Sequence, residues 1–218
     1  MSYNVDRFIE LNREEWTDPS VVDGWRRWHQ PLTEWLAPIT QKMVDEGEIR
    51  SGMRVLDLAS GSGDPAITLA RTVGPAGHVV ATDFNPGMLS VAQANAEAAG
   101  IENIVFEEAD AHALRFDNDS FDRVTSRFGI MYFGDHIQAL REMRRVLKPG
   151  GRVVLIANGP MQQPFIENTI GVLTAHIEMP SSDPTRRTLF DSLLKGSCMT
   201  HSSRRGFAIS PKNTVSQS

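Results

Sequence analysis

The chain predicts an α/β fold, a doubly wound and mostly parallel sheet in a three-layer sandwich, and three observations carry that reading. Short aliphatic and β-branched runs alternate with segments of helical period. The first run, Val55 to Leu58, ends in the small residues Ala59-Ser60-Gly61-Ser62-Gly63, and the second, Val79 to Asp83, ends in an acid just before a helix start. Parallel strands joined by helices place ligands outside the carboxyl ends of the strands.

In chain order, Val21 to Glu46 comes first, with Trp25, Trp28, Leu32, Trp35, Leu36 and Ile39 recurring every three or four positions, as in one or two helices bent near Pro31. Met53 to Leu58 reads as a buried strand. Asp64 predicts an N-cap and Pro65 the first helical position of a helix bearing Ile67, Leu69, Ala70 and Val73, stopped by Gly74-Pro75. Val79 to Asp83 is a second strand, and Asn85-Pro86 repeats the cap-plus-proline start for a helix reaching Gly100. Ile104 to Phe106, Phe121 to Ser126 and Arg152 to Ala157 supply three further strands. Asp135 caps a helix with Ile137, Leu140, Met143 and Leu147 on one side, ended at Lys148-Pro149-Gly150-Gly151, where Pro149 and Gly150 fit a type II turn. Beyond Gly159, Phe165 to Ile177 suits an amphipathic helix before a loop from Pro180 to Pro184. From Ser192 the pattern fades into a tail with Lys195, Arg204, Arg205 and Lys212 and no acid. The expected organisation is an N-terminal helical lid over 1–50, a cofactor-binding core over 51–160, and a helix with an atypical tail over 161–218.

Length and composition bound the function. A chain of 218 residues, 40% hydrophobic and 22% charged, buries a proper core. A net charge of -5 makes nucleic acid a poor partner and favours a small-molecule substrate. One cysteine, Cys198, and six scattered histidines offer neither a disulfide nor metal-ligand spacing, so a reducing cytoplasm is expected. Met1 to Arg7 lacks the apolar core of a signal peptide, and no apolar run approaches the roughly 18 residues of a membrane span.

The glycine-rich turn alone is ambiguous. Gly61, Gly63 and Ala66 satisfy the dinucleotide fingerprint, with Asp83 near the position that receives a ribose, so an NAD-dependent oxidoreductase has to be weighed. Asp57, four residues before Gly61, would repel a pyrophosphate and favour a cation, and the ammonium and sulfonium of S-adenosylmethionine answer that charge. Asp110, after the third strand, is placed to accept from an exocyclic amine. Three other features stay open on residue type alone. Asp57 can brace the turn, the tryptophans can form a core stripe or a lid, and Tyr132 with Phe133 can pack or line a substrate rim.

Taken together, Val55 to Leu69, Ala81 to Leu89, Ala109-Asp110-Ala111, Ser120-Phe121-Asp122 with Ser126 to Gly129, and Leu147 to Gly151 resemble the class I S-adenosylmethionine-dependent methyltransferases of Rossmann-like fold. The similarity is greatest to the ubiquinone/menaquinone biosynthesis methyltransferase group and spans residues 50 to 157. It implies that Asp57, Ala59, Ser60, Gly61 and Gly63 surround the methionine part of the cofactor, with Arg127 on the floor near its carboxylate. It implies too that Asp83 holds the ribose, Phe84 and Met88 flank the adenine, and Asp110 and Ala111 read its amino group. Trp25, Trp28 and Tyr132 become candidate substrate contacts. Tyr132, His136, His112 and His29 are general-base candidates by location only, and the catalytic residue stays unassigned. An acceptor that is quinone-like, phenolic or a natural product is expected, and a non-catalytic cofactor-binding module is the alternative. The class usually adds two more strands, yet only Gly206 to Ile209 is a weak candidate here. An exposed fifth strand predicts a homodimer or a destabilised protein.

Overall fold

The computed structural model describes residues 5–158. Their elements are α1 (Val5–Thr17), α2 (Pro19–Glu46), β1 (Arg54–Leu58), α3 (Ala66–Val73), β2 (His78–Asp83), α4 (Pro86–Ala98), β3 (Ile104–Glu108), β4 (Phe121–Arg127), a single 3-10 turn at Ile130–Tyr132, α5 (His136–Val146) and β5 (Leu147–Ile156). The helix expected over Phe165–Ile177, the tail, and the weak strand at Gly206–Ile209 lie outside the described residues.

All pairings are parallel, in the order β3-β2-β1-β4-β5. Alternate strand residues feed two cores. Val55, Val79 and Ala81 pack with Leu69, Ala70 and Val73 of α3, whereas Leu56, Leu58, Val80 and Val124 pack with Ala139, Met143 and Val146 of α5. Because successive strand side chains point to opposite faces, near-continuous apolar runs demand helices on both sides. Strand order reverses between β1 and β4, and a crevice opens there at the carboxyl ends.

Two caps follow the sequence and one does not. Asn85 accepts from Gly87 N at 2.8 Å and Asp135 from Gln138 N at 2.9 Å, each opening its helix as expected. Asp64 does not cap α3; the helix starts at Ala66 with Pro65 in the cap position and no side-chain bond there. The reason is a stronger competitor, since the Asp64 carboxylate faces the Arg127 guanidinium at 2.6 Å. The turn at Lys148–Gly151 is also drawn into the sheet. β5 begins at Leu147 and its register jumps between Phe121 and Arg123, so the segment with Gly150 at φ 81 bulges out before pairing resumes at Arg152.

The N-terminal part holds more helix than expected. α2 is one element carrying both Pro31 and Pro38, and α1, which precedes it, was not anticipated. Asp18 joins the two, accepting from Ser20 N at 2.7 Å while Pro19 occupies the first helical position. β5 ends the sheet among the described residues.

Candidate functional site

The loops after β1, β2, β3 and β4 meet under α1 and α2 around a cavity of about 310 Å³. Sequence reasoning placed Ala59, Ser60, Gly61, Asp83, Phe84, Met88, Asp110, Ala111, Arg127, Trp25 and Tyr132 together, and all of them line it. Asp57, Gly63 and Trp28 do not. Gly63 lies behind the wall, where a Cβ would come 3.2 Å from Ala92 and its φ of 108 already excludes one, so it lets α3 and α4 approach. Trp28 is 57% exposed on the outer face of α2.

Asp83 closes β2 and ties two elements. Its Oδ2 accepts from Gly61 N at 2.9 Å and its Oδ1 from Asn85 N at 3.0 Å, fixing the glycine turn against the start of α4. With Gly61 N, Asn85 N and, as the weakest of the three, Phe84 N for backbone donors, the carboxylate keeps acceptor capacity for a hydroxyl group in the cavity. Burial pushes its carboxyl pKa up, against the backbone bonds.

Asp110 behaves oppositely. Its Oδ1 accepts from His112 N at 2.9 Å and sits 2.6 Å from His112 Nδ1, and the histidine bond holds its pKa down at about 2. His112 Nε2 in turn accepts from Asp135 N at 3.2 Å, which puts the neutral ring's proton on Nδ1. Both ring nitrogens are thus used in orienting Asp110. His29 packs its Nδ1 against Ser62 Oγ at 3.0 Å, and burial lowers its pKa. Neither His29 nor His136 lines the cavity.

Asp57 is fully buried beneath the crevice. Its Oδ1 accepts from Thr125 Oγ1 at 2.6 Å, and Oδ2 has no hydrogen-bond partner among the described residues. Burial is the main cause that raises its pKa from 3.8 to about 7, with the Thr125 bond and the Arg127 charge opposing it. A carboxyl whose folded pKa exceeds its unfolded value favours the fold while protonated. Its contribution is therefore full below pH 3.8 and is lost as pH rises to about 7. We expect Asp57→Asn to flatten the stability profile across that window and to raise the urea midpoint at pH 8. A decline with pH as steep as in the wild type would reject the assignment.

Arg127, expected near a ligand carboxylate, is bound on its own protein. Nη1 reaches Asp64 Oδ2 at 2.6 Å and Thr40 Oγ1 at 2.5 Å, and Nη2 donates to Asp64 O at 2.9 Å. It therefore fastens β4 to the glycine turn and to α2. Ala59 has φ 55, a conformation that costs an alanine roughly 1–2 kcal/mol more than glycine. A Cβ at Gly129 would fall 2.6 Å from the Ala59 Cβ, so turn and strand end meet at van der Waals limits.

The sequence missed α1's share. Asn12, Arg13 and Trp16 enter the cavity wall, with the Arg13 guanidinium 5.5 Å over the Phe84 ring. Trp16 stacks 6.0 Å from Trp25 and edge-on 5.1 Å from Tyr132. Phe8, Asn12 and Trp16 at four-residue spacing were the available signal.

Comparison with known families settles the affiliation. The model of the ubiE/COQ5 methyltransferase family matches residues 33–181. The chain belongs to that family. It is 41% identical over 130 residues to the ubiquinone/menaquinone biosynthesis C-methyltransferase UbiE of Hahella chejuensis, covering 59% of this chain and 52% of that one. It is 45% identical over 120 residues to a demethylmenaquinone methyltransferase of Thermus thermophilus, covering 55% and 54%. The chain thus spans about half the length of the curated relatives it matches. A SAM-dependent methyltransferase from Aquifex aeolicus shares the fold at TM-score 0.53 and 20% identity, covering 80% of this chain and 87% of its own. Family membership removes the dinucleotide-dependent oxidoreductase as a reading of the glycine turn.

Proposed function

We propose that this protein binds S-adenosylmethionine in the crevice and transfers its methyl group to a carbon of a quinone-like ring. The observation that carries the reading is Asp83, whose two oxygens hold backbone N–H groups of the turns after β1 and β2 and keep acceptor capacity toward the cavity. An adenosine ribose fits that pair of acceptors. Asp110, held ionised and oriented by His112, suits the adenine amine, with Phe84 and Met88 as the apolar walls beside it. Asp57 lies beneath the glycine turn and outside the cavity wall, so it acts on a ligand through its charge alone, and a cationic ligand in the crevice would favour its ionised form where a pyrophosphate would oppose it.

The bound cofactor supplies an electrophilic methyl on a sulfonium, which leaves as a neutral thioether without an acid. A carbon of the reduced, quinol-type ring forms the new C–C bond as the S–CH3 bond breaks and then loses its ring proton, for which no base is assigned; what the described residues supply is positioning. Ser60 and Gly61 present backbone, while Arg127 keeps the turn, β4 and α2 in fixed relation through Asp64 and Thr40. Trp16, Trp25 and Tyr132 form an aromatic side of the cavity against which a flat acceptor ring stacks while water is kept out. The printed names of the relatives, a biosynthesis C-methyltransferase and a demethylmenaquinone methyltransferase, support carbon methylation of a quinone-type ring. A net charge of -5 suits such a small acceptor better than a nucleic acid. We place the protein in the cytoplasm; among the described residues no helix is long and apolar enough to cross a membrane.

Titration calorimetry tests the reading. Uptake of S-adenosylhomocysteine with no heat from NADH is expected, followed by methyl transfer to a reduced naphthoquinone. Binding without turnover of any quinol would favour a non-catalytic module, and NADH binding alone would overturn the cofactor assignment.

A further inference from the structure

We propose that His112 is a positioning residue that couples the two halves of the site, so that an adenine amine bound at Asp110 fixes the rim against which the acceptor ring lies. The inference rests on the methyl-transfer reading above and deepens it. Asp110 follows β3, whereas the rim at Met131, Tyr132 and Phe133 follows β4, and all four residues line the cavity. In the sheet β2 and β1 stand between those two strands, so no ladder ties one loop to the other. His112 spans the gap.

Each polar atom of His112 has a separate task. Its backbone N and its Nδ1 both bond Asp110 Oδ1, at 2.9 and 2.6 Å, which leaves Oδ2 as the acceptor for an amine. Its Nε2 accepts from Asp135 N at 3.2 Å, and its carbonyl oxygen accepts from Gln138 Nε2 at 3.2 Å. Asp135 Oδ1 accepts in turn from Gln138 N at 2.9 Å, so three bonds close a ring that holds the turn at 110–112 against the start of α5. The imidazole also stands edge-on to Phe133, with 6.0 Å between centroids, and the neighbouring Tyr132 stands edge-on to Trp16 at 5.1 Å. Contact therefore runs from the adenine acceptor to the aromatic side of the cavity. An imidazole carries a donor and an acceptor on one rigid ring, and only its Nδ1–H tautomer serves Asp110 and Asp135 N at once. An amine that draws Asp110 into one orientation thus fixes the ring, and with it Asp135 N and the face met by Phe133. By linkage, an acceptor on the rim favours cofactor binding by the same factor.

Substitution separates the two tasks. His112→Asn places an amide N–H near the position of Nδ1 and has no acceptor that reaches as far as Nε2, whereas His112→Gln places its amide oxygen near Nε2 and lacks the donor to Asp110. With circular dichroism confirming the fold, His112→Asn is expected to bind S-adenosylhomocysteine within about twofold of the wild type while its KM for a reduced 1,4-naphthoquinone rises roughly fivefold, the lower end of ordinary coupling between sites. His112→Gln is expected to do the reverse, with S-adenosylhomocysteine bound roughly fivefold more weakly and a near-normal quinol KM at saturating cofactor. Hydrogen exchange reads the coupling without turnover. S-adenosylhomocysteine at saturation should slow exchange over 131–135 in the wild type and in His112→Gln, and should leave that segment unchanged in His112→Asn. Parallel changes of both constants in both variants, as a merely structural role would give, or protection of 131–135 that survives in His112→Asn, overturn the coupling while turnover of the quinol by the wild type keeps the methyl-transfer reading standing. The expected exchange pattern without any quinol turnover would uphold the coupling and remove the methyl-transfer reading instead.

Discussion

Replacing Asp83 with alanine is expected to weaken S-adenosylhomocysteine binding by at least 100-fold. Two hydroxyls donating to an ionised carboxylate contribute about 1.5–3 kcal/mol each, and every 1.4 kcal/mol is tenfold in affinity. The same change strips an acceptor from Gly61 N and from Asn85 N, so the glycine turn loses its tie to α4 just where a ligand meets the backbone. Asp83→Asn keeps one acceptor oxygen but turns an amide group toward a backbone N–H, so it recovers only part of the affinity. Calorimetry on both variants, with circular dichroism confirming the fold, reads the result. An alanine variant that binds within about threefold of the wild type would remove Asp83 from the cofactor site. It would leave the acid with the purely structural task of closing the turn.

The parts of this site that were legible in the sequence are those where one residue's local chemistry decides its position. A strand buried on both faces must be aliphatic, an acid closing such a strand must meet the crevice, and Asn85-Pro86 starts a helix on local terms alone, so β1, β2, α4 and Asp83 all appear where expected. Legibility failed where a distant group competes with the local one. Asp64-Pro65 has the same local form as Asn85-Pro86, yet Arg127, 63 positions later, takes its carboxylate. α1 was missed because its apolar positions sit among Arg7, Glu10, Arg13, Glu14 and Glu15, and only packing against α2 and the cavity shows what Asn12 and Trp16 do. Asp57 marks a further limit. The spacing placed a carboxylate near the turn, but its complete burial and the resulting rise in pKa follow from β2 and β4 flanking it, which no local pattern records.

Arg127→Met is expected to destabilise the fold by about 3–5 kcal/mol, the cost of removing one partner from a buried ion pair. The two side chains are only 6% and 5% exposed, so the remaining Asp64 carboxylate would stay in a low-dielectric site with Thr68 Oγ1, at 3.1 Å, as its side-chain donor. The pair itself contributes much less, because desolvation of both ions offsets most of their attraction. For that reason Arg127→Met combined with Asp64→Leu should recover a large part of the loss in urea denaturation, giving a strong coupling energy in the double-mutant cycle. Function should not recover with stability. Arg127 is also the link from β4 to Thr40 on α2, and a double variant that folds well but leaves α2 untied should still bind S-adenosylhomocysteine poorly. A single Arg127→Met variant within about 0.5 kcal/mol of the wild type, the range of ordinary surface changes, would show that the guanidinium is not holding these three elements together.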